Sequence, residues 1–182
     1  MEKQAELINA TPEDIETLLE EVQIDPHFTD FIKLCDHWDV PITILSDGYD
    51  FNIHTILRKN GLDDMDVVAN HLEYKGNNKF QFSTPHVNPT CRSKSGVCKC
   101  AQLEADAKTI LIGDGRSDFC AAEQADFVIA KDSLLIHCKR KGIPYIPFHD
   151  FADVEHIVAR LFMDTYHATP ESESERIAAL NV

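Results

Sequence analysis

The stretch TILIGDGRSDFCAAEQADFVIA, residues 109–130, constrains the fold more than any other part of the sequence. Its apolar runs Thr109–Ile112 and Phe127–Ala130 are short and rich in β-branched residues, which indicates two buried parallel strands. Between them, glycines bracket Asp114 in a sharp turn, and Asp118 begins a predicted helix. This order predicts an α/β sheet that holds its ligand at this edge, where carboxylate oxygens suit Mg²⁺. The simpler alternative is an ordinary Asp-Gly turn followed by a helix-starting aspartate.

A second polar turn follows the apolar run Val40–Leu45, which also predicts a buried strand. Ser46, Asp47 and Gly48 come directly after this run, and a helical pattern begins after them. A hydroxyl group and free backbone N–H groups between a strand and a helix can hold a phosphate oxygen, helped by the helix dipole. An ordinary strand-to-helix turn explains the same residues without a ligand.

The segment PHVNPTCRSKSGVCKC is rich in soft metal ligands. His86, Cys91, Cys98 and Cys100 lie within fifteen residues of one another, and such a set could form a structural Zn²⁺ site. The spacing matches no standard zinc motif, because a single residue, Lys99, separates the last two cysteines. The alternatives are plain packing for the thiols and a solvated charge for Lys99, which begins a predicted helix.

The remaining patterns predict short helices and strands. Thr11-Pro12 and Asp25-Pro26 are helix-start signals, each followed by apolar residues at helical spacing. The helix after the second polar turn ends at Gly61. Further predicted elements are strands at Val67–Ala69, Leu72–Tyr74, Lys79–Phe82 and Ile143–Ile146, and helices at Ser133–Lys141 and Asp150–Met163. Of these, Leu72–Tyr74 and Lys79–Phe82 form a predicted hairpin, and the residues from Ala168 onward are expected to be a solvated helix or a frayed end.

The composition of the chain restricts its partners. With 182 residues, of which 43% are hydrophobic, the sequence is long enough for one domain with a real core. A formal net charge of −14 argues against nucleic acid and against anionic membrane surfaces. No run is long enough to span a membrane, and the first residues lack the pattern of a signal peptide. We therefore expect a cytoplasmic location with all six cysteines reduced, and the oligomeric state stays open.

The polar features occur in an order that resembles the haloacid dehalogenase superfamily of phosphatases. Ser46, Lys99 and the Asp114/Asp118 pair are similar to motifs two, three and four of that family. The segments LSDGYDFNIHTIL, GVCKC, IGDGRSDFCAAEQADFVIAKDSLL and IPYIPFHDFADV resemble the methionine-salvage phosphatase-like branch, a near relative of the phosphoserine phosphatases. The resemblance covers about residues 26–156.

This resemblance implies a single α/β domain. Its centre would be a Rossmann-like parallel sheet flanked by helices, with a small β-hairpin insertion. Residues 1–25 would be the remnant of a helical cap, residues 26–164 the core and residues 165–182 a tail.

The resemblance also implies a role for each matched residue. The Ser46–Gly48 turn and Lys99 would bind the substrate phosphate. Asp114 and Asp118 would together form the Mg²⁺ site, with Asp114 as the ligand and Asp118 ordering both the lysine and the water shell of the metal, so that Lys99 and Asp118 act in catalysis. Asp47 stands where phosphoserine phosphatases usually carry glycine, which leaves the substrate undetermined.

One motif of the family is not found in these 182 residues. Family members open with a strand ending in DxDx(T/V), whose first aspartate attacks phosphorus, and no such segment precedes Ser46. Asp64 and Asp66 form a DxD pair, but no buried strand precedes them. The family's first strand lies between the strands that lead to Ser46 and Asp114. Without it, we expect those two strands to lose their shared partner.

Three functional hypotheses follow from these observations. The first is a Mg²⁺-dependent phosphatase that hydrolyses a small phosphorylated metabolite through an aspartyl-phosphate intermediate. Under this hypothesis we expect the 182-residue chain to lack activity and a version with the amino-terminal motif to have it. The second is a non-catalytic relative that binds a phosphorylated ligand or a protein partner. The third is a structural module stapled by zinc.

Overall fold

The computed structural model of the protein describes residues 7–167, with side chains through residue 163. The chain divides into two compact units. One unit combines the residues up to Ile24 with Ile42–Pro147, and the other combines Asp25–Pro41 with the residues from Phe148 onward. The predicted tail from Ala168 lies outside the described residues.

The first sheet of the larger unit has three strands. β1 (Thr43–Tyr49) lies parallel to β2 (Asp66–Gly76), and β2 lies antiparallel to β3 (Lys79–Ser83). The two strands predicted at Val67–Ala69 and Leu72–Tyr74 are therefore one long strand. Its first half pairs with β1 and its second half forms the hairpin, so the hairpin extends a strand of the parallel sheet.

The second sheet is entirely parallel and carries the acidic turn. β4 (Ile110–Gly113) pairs with β5 (Phe127–Ala130), which pairs with β6 (Ile146–Pro147). Among the described strands, β1 and β4 each have a single partner, because the two sheets have the separate orders β1-β2-β3 and β4-β5-β6. The mixed α/β architecture with parallel strands confirms the predicted fold class.

Helices connect these strands as the sequence patterns indicate. Thr11 caps the first helix through a capping box with Asp14, as its start signal predicts. The α-helices are α1 (Pro12–Leu19), α2 (Phe28–His37), α3 (Asp50–Lys59), α4 (Phe119–Ala122), α5 (Asp132–Lys141) and α6 (Phe151–His167). None of the helices in the described part of the chain is both long and apolar enough to cross a membrane.

Each unit has its own apolar contacts. In the larger unit, the second sheet packs on α4 and α5 through Leu111, Ala121, Ala122, Val128, Ala130, Leu134 and Cys138. In the smaller unit, the ring of Phe151 in α6 contacts the rings of Phe28 and Phe31 in α2, with centroids 4.8 and 5.4 Å away. These aromatic residues are core residues, which agrees with the apolar face predicted for α2.

The strand β6 is shorter than the predicted Ile143–Ile146. Gly142, in a left-handed conformation with φ of 69°, ends α5. The backbone N–H of Ile143 then donates to the carbonyl of Cys138 over 3.0 Å, which uses that group to close the helix. Strand pairing can begin only after this closure, at Ile146.

Candidate active site

Lys99 and Asp118 form a buried ion pair. Lys99 Nζ donates to Asp118 Oδ1 over 2.5 Å, and the two side chains are 11% and 4% exposed. One 3₁₀ turn (Lys99–Gln102) carries the lysine and another (Arg116–Asp118) carries the aspartate. The alternative of a solvated Lys99 is therefore wrong. Separating the two side chains would cost free energy, because it would leave an uncompensated charge in the protein interior.

Asp118 also makes hydrogen bonds to the backbone of the turn that follows β4. Its Oδ2 accepts hydrogen bonds from the backbone N–H groups of Asp114, over 3.2 Å, and Gly115, over 2.9 Å. Both carboxylate oxygens therefore have protein donors. Gly113 provides the space for this contact, since a Cβ there would lie 2.7 Å from Asp118 Oδ2. This arrangement suits a carboxylate that positions its neighbours more than one that ligates a metal directly.

The side chain of Asp114 is placed differently. Its backbone carbonyl accepts from Leu134 N over 3.0 Å and from Ser133 Oγ over 2.9 Å, which fixes the main chain. Its side chain is exposed, and within the described residues no hydrogen bond or ion pair reaches the carboxylate. Hard oxygen ligands of this kind suit Mg²⁺, which keeps several of its waters when protein carboxylates bind it. The residues present therefore fit the metal that the sequence predicted.

Ser46–Gly48, predicted as a turn after the strand, instead lie within the last part of β1. The pairing of β1 with β2 shifts register here, between Leu45 and Tyr49, so the backbone is irregular at these residues. Ser46 Oγ accepts from the backbone N–H of Gly48 over 3.0 Å, so its own proton remains available to another acceptor. A Cβ on Gly48 would come within 3.1 Å of Ser46 Oγ. Glycine thus lets the backbone approach the hydroxyl closely.

Asp47 joins this turn to the segment that carries the lysine. Its Oδ1 accepts from the backbone N–H of Val97 over 2.9 Å, and its carbonyl accepts from Asn70 Nδ2 over 2.6 Å. Val97 and Asn70 are fully buried. Asp47 therefore fixes the chain two residues before Lys99. Sequence reasoning missed this role, because no local pattern reveals a hydrogen bond that spans fifty residues.

The predicted zinc ligands are only partly brought together. The thiol sulfurs of Cys91, Cys98 and Cys100 all lie within 4.8 Å of one another. His86 is not a member of this group. Its backbone carbonyl instead accepts from Cys98 N over 2.9 Å. Cys120, which sequence reasoning did not consider, lines the same cleft as Cys91 and Cys100.

This cleft is open and has a volume of about 1160 Å³. Asp47 lines it, as does Arg116 from the turn before Asp118. Its further basic residues are Arg92, Lys94 and Lys141. A group of four cationic side chains is notable in a chain with a net charge of −14.

A comparison with protein families finds one match that covers most of the chain. The model of haloacid dehalogenase-like hydrolases matches residues 1–123. Two curated relatives are both named 2-hydroxy-3-keto-5-methylthiopentenyl-1-phosphate phosphatase. The protein of Lysinibacillus sphaericus (strain C3-41) is 34% identical over 166 residues, which are 87% of this chain and 72% of the relative. The protein of Geobacillus thermodenitrificans (strain NG80-2) is 29% identical over 154 residues, 82% of this chain and 69% of the relative.

A solved structure shares the fold. It is described as a phospho-aspartyl intermediate analogue of phosphoserine phosphatase. The match has a TM-score of 0.58 and 19% sequence identity, and it covers 84% of this chain and 73% of the solved one. At this identity the likeness concerns the fold alone.

Proposed function

Because the chain belongs to the family of haloacid dehalogenase-like hydrolases, we propose that it acts in the hydrolysis of a phosphomonoester of a small metabolite. The observation that carries this proposal is the buried Lys99–Asp118 pair, anchored to the turn that presents Asp114. The curated relatives named above act, by their names, on a phosphorylated small molecule. Arg116, which lines the cleft and lies two residues before Asp118, would attract such an anion.

Three groups of the chain have roles in binding the phosphate. The Ser46 hydroxyl donates its free proton to a phosphoryl oxygen. Lys99 uses one N–H on Asp118 and offers the remaining ones to the phosphate, where its charge offsets the charge that develops in the transition state. Asp47 acts as a positioning residue, since its bond to Val97 N holds the lysine segment beside the Ser46 turn.

Asp114 would hold Mg²⁺, with Asp118 orienting the turn and the water molecules that the metal retains. When bound, Mg²⁺ supplies positive charge that neutralises the phosphoryl oxygens. The main-chain bonds from Leu134 and Ser133 keep the Asp114 backbone in place whether or not the metal is bound. A cytoplasmic location, where free Mg²⁺ and small phosphorylated metabolites are both available, is part of the same proposal.

The nucleophile would come from a strand between β1 and β4. Each of these strands has one partner among the described strands, so a single parallel strand could pair with both. Its carboxyl end would then lie beside Ser46 and Asp114. An aspartate there attacks phosphorus, and the ester P–O bond breaks as the leaving oxygen takes a proton. Water then cleaves the aspartyl phosphate and releases inorganic phosphate.

An activity assay with two forms of the protein tests this proposal. We compare the 182-residue chain with a version extended at its amino terminus by a strand ending in DxDx(T/V), using an aryl phosphate with and without Mg²⁺. We expect Mg²⁺-dependent turnover only by the extended form, and its loss with Asp114→Asn. Asp64→Asn is the matched control, because Asp64 is an exposed acid outside the site, and it should leave turnover unchanged.

Two results would contradict the proposal. Turnover by the 182-residue chain that survives Asp47→Asn and disappears with Asp114→Asn would place the nucleophile elsewhere. An extended form that binds inorganic phosphate without any turnover would favour the non-catalytic hypothesis.

A further inference from the structure

Three thiols lie near the separations that a tetrahedral metal site requires. Cys91 Sγ and Cys100 Sγ are 3.7 Å apart, and Cys98 Sγ and Cys100 Sγ are 3.3 Å apart. Four sulfurs bound tetrahedrally at the usual Zn–S length would be separated by about 3.8 Å from one another. All three cysteines are free, and the distances are well beyond the disulfide bond length of about 2.05 Å.

Cys120 approaches this group from another element. It lies in α4, it is half-buried, and it lines the cleft together with Cys91 and Cys100. It is not among the thiols that lie within 4.8 Å of one another, and its own thiol donates to the backbone carbonyl of Ser117 over 3.8 Å. Metal binding would therefore have to turn the Cys120 side chain toward the other sulfurs. The remaining cysteines of the described residues, Cys35 and Cys138, are buried in other helices.

We propose that Cys91, Cys98, Cys100 and Cys120 together bind one Zn²⁺ ion as a four-thiolate structural site. Soft thiolates select zinc over Mg²⁺, and four protein ligands leave no open position for catalysis. Binding releases one proton from each thiol, so the site carries two negative charges. The basic side chains of the adjoining cleft, which include Arg92 and Arg116, offset this charge.

This site would position the two halves of the buried ion pair. Lys99 lies between Cys98 and Cys100, and Asp118 lies two residues before Cys120. A metal held by these cysteines therefore ties together the two turns that present Lys99 and Asp118. Residues 84–98 contain no helix or strand. A loop of this length needs a further restraint to keep one conformation, and the bound metal would provide it.

Metal analysis of the wild-type protein is the first test. Protein purified in reducing buffer without chelator should contain about one zinc per chain. After replacement by Co²⁺, it should show the intense near-ultraviolet absorption of thiolate–cobalt charge transfer. X-ray absorption at the zinc edge should show four sulfur neighbours at about 2.3 Å. No zinc together with no cobalt absorption would overturn the proposal, and so would a disulfide between any of these cysteines found by mass spectrometry.

A pair of variants tests the fourth ligand. Cys120→Ser should lose most of the zinc, whereas His86→Ala should keep it. Cys35→Ala is the control for removing a buried thiol elsewhere, and it should also retain one equivalent. Loss of zinc from His86→Ala with retention in Cys120→Ser would overturn the assignment. If Cys120→Ser does not fold, the sulfur count from the wild-type X-ray absorption spectrum decides, since a nitrogen neighbour contradicts a four-thiolate site.

Discussion

Lys99 and Asp118 are paired in the interior at 2.5 Å, although 19 residues separate them in the chain. The aspartate uses its other oxygen to hold the backbone of Asp114 and Gly115. A substitution of Lys99 or Asp118 should therefore also disturb the backbone of the turn that presents Asp114.

Removing one partner of this pair should destabilise the protein strongly. Lys99→Met and Asp118→Asn should each lower the free energy of unfolding by about 3–5 kcal/mol, because each leaves a buried polar or charged group without its partner. Urea denaturation measures this. The double variant should be less destabilised than the sum of the single variants. Strict additivity would show that the two residues do not act as a pair. Lys33→Met, which breaks an exposed pair with Asp30, should change the midpoint little.

Filling the space at Gly113 should displace Asp118. In Gly113→Ala the new Cβ would lie 2.7 Å from the Asp118 carboxylate and 3.1 Å from Leu134 Cδ2, so we expect a loss of about 1–3 kcal/mol in stability. Gly115→Ala is the matched control, because the nearest atom to its Cβ is 3.6 Å away. Thermal unfolding of the two variants compares them. Equal losses of stability in the two variants would show that the close contact at Gly113 is not the cause of the destabilisation.

Asp114→Asn should weaken Mg²⁺ binding without unfolding the protein. The carboxylate is exposed and has no partner within the described residues, so its loss should leave the unfolding midpoint nearly unchanged. Isothermal calorimetry should show affinity reduced by at least about tenfold, since changes to groups that only support metal ligands already cost that much. The exposed Asp64→Asn variant should bind as the wild type does. Identical Mg²⁺ binding by all three proteins would refute the assignment of Asp114.

Acid should weaken the junction between α3 and β2. Burial acts to raise the pKa of Asp50, but the hydrogen bonds from His71 and from the N–H groups of Leu72 and Phe51 outweigh it, so the folded pKa lies below the ordinary aspartate value. The unfolded chain therefore takes up the proton first as the pH falls. The stabilisation is complete above the unfolded pKa and is lost as the pH falls through the folded value.

Denaturation of wild type and Asp50→Asn at pH values from neutral to acid measures this contribution. The variant should be less stable at neutral pH, and the difference should shrink below about pH 4, the region of the ordinary aspartate pKa. A difference that stays constant down to the lowest pH would show that Asp50 does not contribute through its charge.

The predicted strands and turns depended on local patterns, and most of them were correct. Apolar runs that end at glycine or at a polar turn identified β4, β5 and the first residues of β1, because hydrophobic periodicity reflects burial residue by residue. The strand predicted at Val40–Leu45 begins only at Thr43 and continues to Tyr49. The separation of β2 into two predicted strands was wrong. A local pattern cannot show that one strand changes partner halfway along its length, from β1 to β3.

The candidate site, like the fold, was predicted only in part from the sequence. Sequence order alone indicated Ser46, Lys99, Asp114 and Asp118 as a set, since Ser46 and Asp114 follow predicted strands and the other two residues begin predicted helices. Only the tertiary structure decided which groups they contact: Asp47 with Val97, Lys99 with Asp118, and three thiols without His86. Spacing in the sequence limits the contacts that residues close in the chain can make. Contacts between distant residues are set by how strands and turns pack, which places Cys120 in the same cleft as Cys91 and Cys100 and leaves the nearer histidine outside the thiol group.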